Sequence, residues 1–130
     1  MVLSVEAKRN AAGSWEAFTD NGREHTGRDV LEWVQEGVER GAGEILLTSV
    51  DMEGTCRGLD LELIKTVPTS VNIPVIASGG MGSPQDLVKA SEEGKANAIA
   101  VAHLLHYNKT SIEELRTTAL NANLPVRELK

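Results

Sequence analysis

The residue types able to do chemistry cluster just after four short apolar runs. Glu6 closes Val2-Leu3-Ser4-Val5, and Thr48, Ser49, Asp51 and Glu53 follow Ile45-Leu46-Leu47. Ser78-Gly79-Gly80 follows Val75-Ile76-Ala77, and Ala102-His103 ends the run from Ala98. Acids, hydroxyls, glycines and one imidazole gathered at one mouth suit acid–base chemistry on a phosphorylated substrate. The stretch from Asn72 to Asp86 is the most informative, reading as strand, glycine-rich turn and helix start. Gly79, Gly80 and Gly82 permit positive φ and a close ligand approach. Ser83 fits an N-cap, Pro84 the first helical position, and Asp86 the reciprocal place in a capping box. Unpaired N–H groups and the positive end of a helix dipole would together favour an anion such as phosphate. An ordinary strand-to-helix turn has the same composition.

Each of these residues also has a plainer reading. Asp51 and Glu53 suit loop acids, and His103 suits a satisfied polar side chain. His25 and His106 carry no spacing argument. No His, Cys, Asp and Glu grouping has metal-ligand spacing, so neither a metal nor another cofactor is expected. The single cysteine, Cys56, fits an incidental loop thiol in a reducing cytoplasm. A formal charge of -6 with no basic runs argues against a nucleic-acid surface. Any phosphate grip must then be local and made mostly by backbone amides. No apolar run is long enough to predict a membrane span.

The elements that must hold these residues alternate regularly. Strands are expected at residues 2–5, 44–49, 75–77 and 98–102, and helices at 29–40, 60–67, 84–93 and 111–121. Val30, Leu31, Val34 and Val38 share a helical face, Gly41 suits the position after the helix end, and Pro68 should terminate the second helix. Residues 7–27 form a long polar link with turn signals at Gly13, Asn21-Gly22 and Gly27. Within it, residues 15–19 could form one arm of a small hairpin. Helix end, glycine, short link and strand recur at residues 39–47 and 92–100, a weak internal repeat.

Four strand–helix units in alternation predict an α/β fold with a parallel sheet, a single domain over residues 1–130. An eight-fold TIM (β/α)8 barrel needs about 250 residues, so this chain supplies half of one. Right-handed crossovers put the helices on one sheet face. The other face, with Ser4, Leu46, Ile76, Ala98 and Ala100, would stay open, as would two strand edges. A strand beginning directly after Met1 also suggests a piece of something longer.

At these residues the chain resembles a known family. Glu6-Ala7-Lys8-Arg9, Thr26-Gly27, the run from Gly41 to Asp51, Glu53-Gly54-Thr55, Gly58, Asp60 and Ile76-Ala77-Ser78-Gly79-Gly80 carry the likeness. They resemble the C-terminal half of the cyclase subunit of imidazole glycerol phosphate synthase, from Val2 to about Arg127. The histidine-pathway isomerase is similar, but Thr48-Ser49-Val50-Asp51 fits the cyclase better. The resemblance implies a lyase of histidine biosynthesis that takes ammonia from a glutaminase partner through the barrel. It closes an imidazole ring on a bis-phosphorylated ribulosyl aminoimidazole substrate.

By that resemblance Glu6 takes the place of a catalytic aspartate. Gly54, Gly79 and Gly80 hold one substrate phosphate with help from Ala102 and His103, beside Thr48, Glu53 and Ser78 at the mouth. Glu44 joins the charged ring at the barrel floor, the ammonia gate. Three residues depart from the pattern: Glu6 and Glu53 stand for aspartates, and His103 for a small hydroxyl residue. One extra methylene at Glu6 moves the carboxylate by roughly 1 Å, a displacement that can cost about a hundredfold in rate. The expected partners are a phosphorylated small molecule or phosphate, and either a second copy of the chain or a complementary N-terminal half-barrel. A non-catalytic phosphate-binding half-barrel and the isomerase are the alternatives.

Overall fold

The computed structural model describes residues 1–128. Six strands form one sheet: β1 (Val2–Arg9), β2 (Trp15–Thr19), β3 (Glu24–Asp29), β4 (Glu44–Ser49), β5 (Val75–Ser78) and β6 (Ala98–Ala100). Five helices join them: α1 (Val30–Glu39), α2 (Leu61–Ser70), α3 (Pro84–Glu92), α4 (His103–His106) and α5 (Ile112–Asn121). The strand order is β3-β2-β1-β4-β5-β6. β1, β4, β5 and β6 run parallel in that order, the four-unit core of a partial (β/α) barrel.

The core lies between the sheet and the helices. Val5, Ala7, Ile45, Leu47, Val75 and Ala77 are buried against Val30, Val34, Leu63, Ile64, Val67 and Ala90. Successive side chains alternate across a strand, so Ser4, Leu46, Ile76 and Ala98 must project from the opposite face. They sit side by side in register, and none of them is buried. The expected open face is therefore real.

Helix ends follow the sequence signals closely. The Asp29 carboxylate accepts the Leu31 and Glu32 N–H groups, Asp60 accepts Leu63 N–H, and Ser111 Oγ accepts Glu114 N–H. Gly41, at φ +94°, donates to Val38 O while Ala42 donates to Gly37 O, a Schellman end to α1. At α3 the Asp86 carboxylate accepts the N–H groups of both Gly82 and Ser83, each at 2.9 Å. Asp86→Ala should cost roughly 1–2 kcal/mol, more than a single cap bond, because two donors lose one acceptor. Chemical denaturation should register the loss while the circular dichroism spectrum of the folded chain stays unchanged.

Three expectations need correction. Pro68 lies inside α2 instead of ending it. Pro68 cannot donate to the Ile64 carbonyl, and in the turn that follows Thr69 Oγ1 and Ser70 Oγ donate to the Thr66 and Val67 carbonyls. Gly82 does not take positive φ; it is small because a Cβ would lie 2.0 Å from Cys56 O. The internal repeat is present, with Gly94 between α3 and β6 and the left-handed residue at Lys95, φ +59°. Gly94 is needed for space, since a Cβ would stand 2.6 Å from Ile64 Cγ1.

The third correction concerns β1. It runs on to Arg9, and the link expected to be a loop folds into the antiparallel pair β2 and β3. Glu16 fastens this meander by accepting from Gly27 N–H at 2.8 Å and meeting His25 Nδ1 at 3.1 Å. The Gly27 bond, and then His25, hold the Glu16 carboxyl below its ordinary range. β1 is consequently not a free sheet edge: β2 covers Glu6 to Arg9, and only residues 2–5 lack a partner on that side.

Candidate functional site

One line of residues crosses the sheet at its C-terminal end. Glu6 pairs with Thr48, Thr48 with Ser78, and Ser78 with Ala100. Their shared register sends all four side chains to the open face. Ser49, expected beside Thr48, pairs with Ala7 and is 2% exposed on the helix-covered side, so it lies away from the mouth. Asp51 is a fastening residue: its carboxylate accepts the Arg9 N–H at 2.7 Å and holds the end of β1.

Glu6 is half-buried, and its Oε2 accepts the Gly22 N–H at 2.8 Å. Gly22 belongs to the tip between β2 and β3, where Asp20, Asn21 and Gly22 all take positive φ. A Cβ on Gly22 would meet Val50 Cγ1 at 2.5 Å. The hairpin tip is thus lodged against the loop after β4, and it orients the Glu6 carboxylate through one oxygen. The Asn21-Gly22 signal was visible in the sequence, but its target at Glu6 was not.

A cleft opens at the other end of the line. It is walled by Glu53 and Gly54 after β4, Ser78 at the end of β5 with Gly79 and Gly80 beyond it, and Ala102 and His103 after β6. These residues, proposed separately from the sequence, are brought together. The glycines are enforced by crowding: Gly79 and Gly80 take φ +95° and +98°. A Cβ on Gly79 would lie 2.8 Å from Ser49 O, and one on Gly80 2.2 Å from Gly58 O. Gly58 N–H donates to Gly80 O at 2.8 Å, which locks the turn to the loop after β4.

Among the described residues, the N–H groups of Gly54, Gly79, Gly80 and His103 have no assigned acceptor. Free amides around a cleft are oxyanion ligands. The N-terminus of α3 contributes less than expected, because Asp86 already takes the Gly82 and Ser83 amides. The anion-binding potential therefore lies between the β5 and β6 turns.

The sequence reading missed four neighbours. Cys56, at φ +54°, lines the cleft, as do the buried side chains of Met81 and Leu104. Lys109 Nζ stands 3.4 Å from His103 Nε2 and 3.8 Å from Cys56 Sγ. α4 was missed as well, since one helical turn leaves no periodicity to detect. Glu44 is exposed at the opposite end of the open face, paired with Val2 and two steps from Leu46 on the same side. Among the described residues no helix is long and apolar enough to cross a membrane.

Comparison with known proteins agrees with this geometry. The family described as histidine biosynthesis protein matches residues 1–111. Imidazole glycerol phosphate synthase subunit HisF of Prochlorococcus marinus (strain MIT 9301) is 48% identical over 129 residues, covering 98% of this chain and 50% of that protein. The same subunit of Streptococcus sanguinis (strain SK36) is 46% identical over 127 residues, and that of Dehalococcoides mccartyi (strain CBDB1) is 45% identical over 127 residues; each match also covers 98% of this chain and 50% of the relative. The chain spans about half the length of these relatives. With sheet order, cleft and sequence in agreement, the chain belongs to the histidine biosynthesis protein family.

Proposed function

We propose that this chain is a half-barrel of the imidazole glycerol phosphate synthase cyclase type, which acts once its ring is closed. The observation that carries the reading is the register Glu6–Thr48–Ser78–Ala100 on an uncovered face, ending at the glycine cleft. Two strand spacings, roughly 10 Å, separate Glu6 from Ser78. A phosphate held at Gly79 and Gly80 would leave the body of a small sugar phosphate within reach of the Glu6 carboxylate. Glu6 then serves as the acid–base group, with Oε2 oriented by Gly22 and Oε1 left for the substrate. Ammonia would arrive from a glutaminase partner at the floor, past Glu44.

Closure requires a partner for β6 and for residues 2–5 of β1. A second copy supplies both, since β6 of each chain can pair with the uncovered part of β1 of the other. The β2–β3 hairpins restrict that pairing to the N-terminal half of β1. Such a two-fold ring carries two Glu6 carboxylates and two glycine clefts about one mouth. A complementary N-terminal half-barrel is the other way to close it.

The test joins mass to turnover. Light scattering at micromolar concentration should give twice the chain mass, and ammonia-dependent ring closure should rise sharply when an N-terminal half is added. A monomer at these concentrations would end the self-closure reading. Absence of turnover with a bound N-terminal half would end the catalytic one. Phosphate binding without turnover would instead favour the non-catalytic half-barrel.

A further inference from the structure

We propose that Lys109 is a ligand-binding residue of the glycine cleft, its ammonium placed beside His103 to select a phosphate monoester dianion. This rests on the oxyanion reading of the cleft and adds a side chain to it.

The backbone delivers Lys109 there. After α4 the chain reverses at Asn108, φ +51°, and Lys109 N–H donates to Leu104 O at 2.8 Å. That reversal brings a residue six positions later back beside His103, the first residue of α4. The imidazole is held by Tyr107, ring centroids 4.5 Å apart, and its Nε2 lies 3.4 Å from Lys109 Nζ. Cys56 Sγ lies 3.8 Å from the same ammonium. His103 and Cys56 both line the cleft, so the ammonium that contacts them stands beside it.

Its chemistry suits a ligand better than a structural role. Among the described residues Lys109 makes no ion pair with a carboxylate, unlike Arg9, Arg28, Arg40 and Lys65. An ammonium carries three donors; one directed at His103 Nε2 leaves two for ligand oxygens. The chain as a whole is acidic, at -6, and Glu53 adds a carboxylate to the cleft wall. An incoming dianion is repelled by both, and Lys109 is the cation placed to offset them. The amides of Gly54, Gly79, Gly80 and His103 belong to residues that wall the same cleft and have no acceptor among the described residues. With the ammonium they make a donor set better suited to three terminal phosphate oxygens than to two carboxylate oxygens.

The test titrates the full chain with inorganic phosphate and with glycerol phosphate, following backbone amide shifts and calorimetric affinity. Lys109→Ala should weaken both ligands about tenfold and flatten the salt dependence of binding. Lys109→Glu should weaken them about a hundredfold, and Lys109→Arg should return affinity to within about threefold of the parent. Unfolding temperature should change little across the series, which a purely structural lysine would not allow together with lost affinity. Equal affinity in the parent, Lys109→Ala and Lys109→Glu would overturn the role of Lys109 and leave the cleft reading intact. No binding by the parent, or shifts that avoid Gly79 and Gly80, would overturn the cleft reading and this inference with it.

Discussion

Gly80→Val should abolish phosphate binding, lowering affinity by at least about a hundredfold, and should also cost stability. Gly80 sits at φ +98°, where a β-branched residue is strongly disfavoured. Its Cβ would lie 2.2 Å from Gly58 O and 2.7 Å from Met52 Cβ, so the turn must move away from the loop after β4. That movement separates Gly54 from Gly79 and disperses the free amides. Strain and overpacking together should cost about 3 kcal/mol or more. The packed turn thus makes stability a second casualty beside binding. Gly54→Ala is the control, because nothing lies within 4 Å of its new methyl although φ is +71°. It should lose only about 1 kcal/mol and keep the fold. Phosphate titration beside urea denaturation checks both variants. Unchanged phosphate affinity in Gly80→Val would put the anion site elsewhere.

Leu46→Asp should prevent assembly while leaving the subunit folded. Leu46 is half-buried on the open face between Ser4 and Ile76, whereas the core lies on the other side of the sheet. Within one subunit the aspartate stays in water and costs little. In a closed ring it forfeits about 1.5–3 kcal/mol of leucine burial and traps an unpaired carboxylate in an apolar interior. In a symmetric pair the effect occurs twice. A loss above about 4 kcal/mol weakens association roughly a thousandfold. Sedimentation should show a shift from dimer to monomer, with the circular dichroism spectrum preserved. A dimer of undiminished affinity would mean that the open face is not the contact surface.

The two outcomes address different parts of one reading. Gly80 concerns what the mouth holds, and Leu46 concerns whether there is a closed mouth at all. Loss of binding in Leu46→Asp as well would show that the cleft needs the closed ring. Retention would show that one subunit holds the anion by itself.

Sequence determined the elements and the chemistry at their ends. Apolar runs of three to five residues, alternating with amphipathic segments and punctuated by Asp29, Asp60, Ser83 and Ser111, specify strands and capped helices locally. Strand alternation then tells which side chains share a face once the strands are parallel, so Glu6, Thr48 and Ser78 could be grouped beforehand. Tertiary structure decided whatever depends on a neighbour distant along the chain. Residues 7–27 became a hairpin because β1 offered an edge for β2, and that same pairing left only residues 2–5 free. Asp51 became a fastener of β1 because the sheet carries Arg9 to it. Gly82 is small because of Cys56, and Lys109 reaches His103 because the chain reverses after a helix too short to have a period. Periodicity and caps are properties of local backbone geometry and are written in adjacent residues. Crowding, register and the placement of a charge arise between segments dozens of residues apart, and only the folded chain brings those segments together.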